Sequence, residues 1–158
     1  MRNIFMAIAM AGILHSTSAM AGWHDWSQME RNQAIVDETA NWDDGDDGGQ
    51  CKIWVQEIVY DASGSGLIPL NSNDACEWQY GAYVIGRSGY IEYASPGEII
   101  QMDLGDNSPH TAIVIANSSY GVIFRESNWN LDEEVGTRYV SYSTFYNQVE
   151  CFTIYYVL

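Results

Sequence analysis

Three cysteines and three histidines are among the scarce reactive side chains of this 158-residue chain, and one of each stands where chemistry would want it. Cys51 follows Gly48-Gly49-Gln50 and opens a run whose apolar positions are Cys51, Trp54, Val55, Ile58 and Val59. That i, i+3, i+4, i+7, i+8 spacing predicts one buried helical face, with the thiol in its first turn. Unpaired backbone N–H groups and the positive end of the helix dipole favour a thiolate there, and the same N–H groups could hold an oxyanion. A free cysteine is often only a small core hydrophobe, so the position alone does not make a nucleophile.

His110 strengthens the case. It follows Pro109 and leads the strand-like run His110-Thr111-Ala112-Ile113-Val114-Ile115, whereas His15 and His24 lie near the start of the chain. Alternation puts His110, Ala112 and Val114 on one face, where small Ala112 would let the start of the Cys51 helix pack close. On the next run, Val122, Phe124, Glu126 and Asn128 share a face, so Glu126 or Asn128 could accept from the second imidazole nitrogen and fix its tautomer. Cys, His and Glu/Asn in this order suit acyl transfer by an activated thiol.

The elements that must position these groups can be read in outline. Ser27-Gln28-Met29-Glu30 forms a capping box, predicting a helix from Gln28 to about Ala40. Trp42-Asp43-Asp44-Gly45-Asp46-Asp47-Gly48-Gly49 packs four carboxylates and three glycines into eight residues and reads as a solvated loop. The second helix runs from Gln50 to about Tyr60-Asp61. After Pro96-Gly97 come short β-branched or aromatic runs at 98–104, 110–117, 121–127, 137–142 and 152–157, with a hairpin connection at 117–121. Residues 62–95 read as irregular, with a short helix near Trp78–Ile85. Helices first and an antiparallel sheet second make an α+β fold in one domain.

Residues 1–21 stand apart. Arg2, the apolar stretch Ile4–Leu14 and the Ala19-Met20-Ala21 end have the form of a secretory signal peptide, too short to span a bilayer. The mature domain is then 22–158, secreted or periplasmic, in a compartment where disulfides persist. With Cys51 kept as a thiol, a Cys76–Cys151 bridge is expected, worth about 4 kcal/mol in the chain-entropy model, although spacing alone leaves the other two pairings open. A formal charge of −15 with only six Lys and Arg argues against nucleic acid and against adhesion to anionic lipid; no membrane insertion is expected.

The residues so far singled out resemble a known family. Gly49-Gln50-Cys51-Lys52-Ile53-Trp54-Val55 is similar to the G-Q-C-x-x-[WY]-V helix start of CHAP domains. Pro96-Gly97-Glu98-Ile99-Ile100 resembles a shortened form of their P-x-x-G-D-I segment, and Pro109-His110-Thr111-Ala112-Ile113-Val114 their G-H-V-A-I-V strand. Glu126-Ser127-Asn128-Trp129 is similar to their E-x-N pair, and Asp74-Ala75-Cys76-Glu77-Trp78 to their N-A-x-x-W segment. Pro109 in place of a glycine and Glu98 in place of an aspartate are departures that remove no catalytic group.

The resemblance, which covers residues 48–157, implies a papain-like fold of the NlpC/P60 type and cleavage of amide bonds in peptidoglycan. It also implies Cys51 as nucleophile, His110 as base, Glu126 as orienting group and Asn128 in orientation or transition-state binding. Gln50, Trp78 and Trp129 are the expected substrate contacts. Some CHAP enzymes carry calcium ligands just upstream of the cysteine, where Asp44 and Asp46 stand here; no cofactor is otherwise required. An immunity or inhibitor protein is an expected class of partner. Two other function classes fit the same pattern: a secreted domain that binds glycan or peptide without turnover, and another acyl-transfer enzyme with a Cys-His triad.

Overall fold

The computed structural model describes residues 22–64, 84–87, 89–105 and 108–158. Two helices lead. Helix α1 spans Gln28–Thr39 behind the expected capping box: Ser27 accepts from the Glu30 backbone N–H, and the Glu30 carboxylate accepts from the Ser27 backbone. Helix α2 spans Cys51–Ala62 with Gln50 as its N-cap residue, so the thiol occupies the first helical position.

Among the described residues a six-stranded antiparallel sheet follows, made of β1 (Val84–Arg87), β2 (Ile99–Asp103), β3 (Pro109–Asn117), β4 (Gly121–Ser127), β5 (Val135–Ser141) and β6 (Cys151–Val157). Its spatial order is β1-β6-β2-β3-β4-β5, so β6 is inserted between β1 and β2. A short helix α3, Tyr142–Gln148, links β5 to β6.

Strands β2, β3, β4 and β6 bury residues on both faces, and each face serves a different core. Ile99, Ile113, Tyr155 and Val157 meet Trp54, Val55, Ile58 and Val59 of α2 and Ile35 of α1. Ile100, Met102, Ala112, Val114, Val122 and Phe124 meet Ile91 and Phe145 on the other side. Each such aliphatic or aromatic side chain removed from water contributes about 1.5–3 kcal/mol, enough to make the α2–sheet contact a rigid platform for the first turn of α2.

Three expectations need correction. Val84 and Ile85 belong to a strand paired with Val157 and Tyr156, not to a helix; the rest of the segment 65–83 lies outside the described residues. Tyr142–Gln148 is helical because Ser141 caps it through Thr144 and because Phe145 buries its ring, whereas its sequence shows no helical apolar period. Finally, α2 packs on the Ile113 face of β3, and Ala112 faces the opposite core. Cys51 therefore reaches His110 around the end of the strand, not across the face that Ala112 occupies.

Candidate active site

The loop before Cys51 is held more firmly than its acidic composition suggests. Gly48 and Gly49 donate backbone N–H bonds to the Glu133 carbonyl at 2.9 and 3.1 Å, and Ser127 Oγ donates to the Gly49 carbonyl at 2.7 Å. Asp47 forms an isolated bridge with Glu134. A Cβ on Gly48 would stand 2.6 Å from Val135 Cγ2 and 2.7 Å from Ser127 Oγ, so only glycine permits this approach. Gly49 adopts φ +65°, the left-handed turn that feeds the chain into α2. The nucleophile's backbone is thus pinned to the ends of β4 and β5.

At that position Cys51 is a free, partly buried thiol. Burial pushes its pKa up, but the hydrogen bond and charge of His110, with the backbone N–H groups of Thr111 and Lys52, outweigh burial and bring it below the ordinary thiol value. His110 is buried at the start of β3, paired in register with Met102. Burial pushes its imidazole pKa down; the Cys51 hydrogen bond, the Glu126 contact and the charges of both outweigh that and raise it. Both shifts favour a thiolate–imidazolium pair, the ionisation a nucleophilic cysteine needs.

Glu126 sits on β4 opposite Ala112 and is 2% exposed. Its Oε2 lies 3.3 Å from His110 Nε2. The angles fall outside hydrogen-bond geometry and neither atom has another partner, so the contact is first of all electrostatic. With Nε2 turned to the carboxylate, Nδ1 is the nitrogen left for Cys51, the division of labour that fixes a tautomer.

Asn128 is placed elsewhere in the network. It takes the left-handed φ of 66° that ends β4, its Nδ2 donates to Gln50 Oε1 at 3.3 Å, and its Oδ1 accepts from the Glu133 backbone at 3.0 Å. Gln50 in turn donates to Glu133 Oε1 at 2.8 Å. Asn128 therefore bears on the residue before the nucleophile and not on the imidazole. Trp129 touches the imidazole directly, edge to face at 4.8 Å between ring centres, and also walls an open cavity of about 420 Å³ with Leu104, Gly105, Asn147, Gln148 and Glu150. Trp78 and Cys76 lie outside the described residues.

The motif reading did not reach Arg138 on β5, which covers the Trp129 ring and faces Glu126. Alternation along β5 would have placed it with Gly136 on the face toward Glu126, but nothing in its sequence neighbourhood marks it as part of a site.

The acidic loop does not present a cation site. Asp44 is taken by Arg125, which also donates to Thr137 Oγ1 and the Trp42 carbonyl, while Asp46 accepts from the Asp43 backbone. Among the described residues no group of three or more potential metal-ligating side chains converges. The donors expected for calcium, Asp44 and Asp46, thus do not fit one as they stand.

No protein-family model matches the chain, and no curated protein matches it. Two solved structures of Ly7917 do resemble it. Ly7917 with the hydrolyzing product of MDP aligns with a TM-score of 0.56 at 18% identity over 78% of this chain. A second Ly7917 structure aligns at 0.51 and 16% over 82%. In both cases this chain spans 62% of the Ly7917 chain. At such identity the likeness is one of fold.

Proposed function

We propose that the protein is a cysteine hydrolase of the CHAP type that cleaves amide bonds in peptidoglycan. The observation that carries the reading is the coupled pair at the start of α2 and β3: a free Cys51 thiol held below its ordinary pKa beside a His110 imidazole raised above its own. The Ly7917 fold, seen with a product of MDP, a muropeptide, supports peptidoglycan as the substrate class.

In this mechanism the Cys51 thiolate attacks the scissile carbonyl, and backbone N–H groups in the first turn of α2 stabilise the oxyanion. His110, as imidazolium, gives its proton to the leaving amine, and a thioester remains on Cys51. The neutral imidazole then takes a proton from water, whose oxygen attacks the thioester and releases the acid and the thiolate. Glu126 holds the imidazole and favours its charged form. Asn128 acts through Gln50, whose side chain it fixes beside the nucleophile. Trp129 and Gln50 are the substrate contacts proposed among the described residues. The reaction requires no metal.

Residues 1–21 are proposed as a signal peptide that sends the 22–158 domain to the periplasm or outside the cell. A bridge between Cys76 and Cys151 is proposed as the pairing that leaves Cys51 a free thiol. A protein that attacks walls calls for an immunity or inhibitor protein wherever its own producer's wall is within reach. The test of function is mass spectrometry of purified muropeptides after incubation with the protein and with Cys51→Ala. New amine and acid termini that require Cys51 support the reading and name the bond; intact muropeptides with both proteins leave a non-catalytic binding domain, and acyl transfer to another acceptor points to a different enzyme on the same fold.

A further inference from the structure

His110 is bracketed by two side chains, the Glu126 carboxylate at one ring nitrogen and the Trp129 indole against the ring. One further residue touches both. The Arg138 guanidinium carbon lies 4.5 Å from the centre of the Trp129 ring, and Arg138 Nε lies 3.7 Å from Glu126 Oε1, the carboxylate oxygen that does not face His110. That Nε is buried without a hydrogen-bond acceptor, although the side chain as a whole is one-third exposed.

The strand register makes the arrangement. Gly136 of β5 stands directly opposite Glu126, and Arg138 opposite Phe124, so Arg138 approaches Glu126 on the diagonal, past a residue with no side chain. A Cβ on Gly136 would already stand 3.4 Å from Glu126 Oε1. Planar guanidinium suits both duties, since it stacks on an aromatic face while presenting an N–H at its edge.

We propose that Arg138 is a positioning residue for the hydrolase, holding Glu126 and Trp129 together so that both stay against His110. It acts through the two side chains that touch the imidazole. This inference rests on the proposed Cys51–His110 chemistry but can be tested without a substrate. The charged and titratable groups facing His110 are Cys51 from α2 and Glu126 from β4, with Arg138 of β5 behind Glu126 and Lys52 facing Cys51.

Two effects of removing Arg138 have opposite signs, and this separates position from mere charge. Loss of a nearby cation, with Glu126 unmoved, would raise the His110 titration; release of Glu126 from its place would lower it. Arg138→Met and Arg138→Lys would be compared with the unmodified protein by NMR titration of His110, by the pH dependence of Cys51 alkylation, and by turnover of muropeptides. The expected result for Arg138→Met is a His110 titration moved down by roughly a unit, with kcat about tenfold lower and KM little changed. Arg138→Lys, which keeps the charge but loses the plane, should recover only part of both. A His110 titration that is unmoved or moves up in Arg138→Met, or full recovery in Arg138→Lys, overturns the proposal. If Arg138→Met does not fold, Arg138→Lys alone decides it, full retention of titration and kcat being the overturning result. Absence of muropeptide turnover by the unmodified protein would count against the proposed function, while the NMR and alkylation comparison would still decide the role of Arg138.

Discussion

Replacing Glu126 by glutamine removes one charge from a buried site with almost no change in shape. Its Oε2 lies 3.3 Å from His110 Nε2. Two full charges at that distance would interact by about 5 kcal/mol at an effective dielectric constant of about 20. Both charges are spread over two atoms, which lengthens the mean separation and brings the attraction to about 3 kcal/mol, and the glutamine carbonyl keeps part of it. The imidazolium should therefore lose the equivalent of about one to two pKa units, at about 1.4 kcal/mol each. The sign follows from the direction of each shift. His110 is raised partly by Glu126, so its deprotonation moves to lower pH in Glu126→Gln; Cys51 is lowered partly by charged His110, so its ionisation moves to higher pH. The window in which thiolate and imidazolium coexist narrows from both sides, and kcat/KM near neutrality should fall about 100-fold. Iodoacetamide alkylation of Cys51 against pH reads the thiol side without any substrate, and the pH profile of muropeptide cleavage reads both. An alkylation profile superimposable on that of the unmodified protein would refute the coupling on which this reasoning stands.

Other outcomes follow from the same geometry. Cys51→Ser should fold normally yet lose cleavage by more than about 1000-fold, because the hydroxyl stays protonated where the thiol ionises; muropeptide mass spectrometry and circular dichroism check the two halves. Gly48→Ala forces a methyl group to within 2.6 Å of Val135 and 2.9 Å of Trp54, and should cost about 1–3 kcal/mol in urea unfolding while slowing Cys51 alkylation. Arg125→Met leaves the Trp42 carbonyl without its donor and Asp44 with Thr137 in place of the guanidinium, with an expected loss of about 1–3 kcal/mol measured the same way. Since Asp44 is engaged by Arg125, EDTA should leave cleavage and melting temperature unchanged; calcium-dependent recovery of either would overturn that reading.

Much of the scaffold was legible because local signals and tertiary packing agree. The Ser27–Glu30 capping box forms as spelled, and the apolar stripe of α2 is the face that meets the sheet. Strands β2 to β6 fall within two residues of the runs that encode them, because each is β-branched or aromatic between turn residues. Cys51, His110 and Glu126 are brought together as their motifs suggest. What was illegible depends on contacts between distant segments. Nothing near Tyr142–Gln148 spells a helix until Phe145 has a core to enter. Val84–Arg87 is a strand only because β6 offers it an edge. Alternation left both Glu126 and Asn128 able to face the imidazole; the left-handed backbone of Asn128 turns its amide toward Gln50, a consequence of how β4 ends and not of which residue stands there. Arg138 escaped because its partners are defined by register across two strands.

The placement of β6 has a consequence in time. A chain still being made has β2, β3, β4 and β5 before Cys151–Val157 exists, so β2 lacks the neighbour that will separate it from β1. Gln28 of α1 donates to the Val157 carbonyl and Trp23 to that of Leu158, so the leading helix also waits for the same stretch. The sheet on which Cys51 is presented is thus completed only once residues 151–158 have been added. A polypeptide that stops before residue 151 would carry Cys51 without the finished platform beneath it.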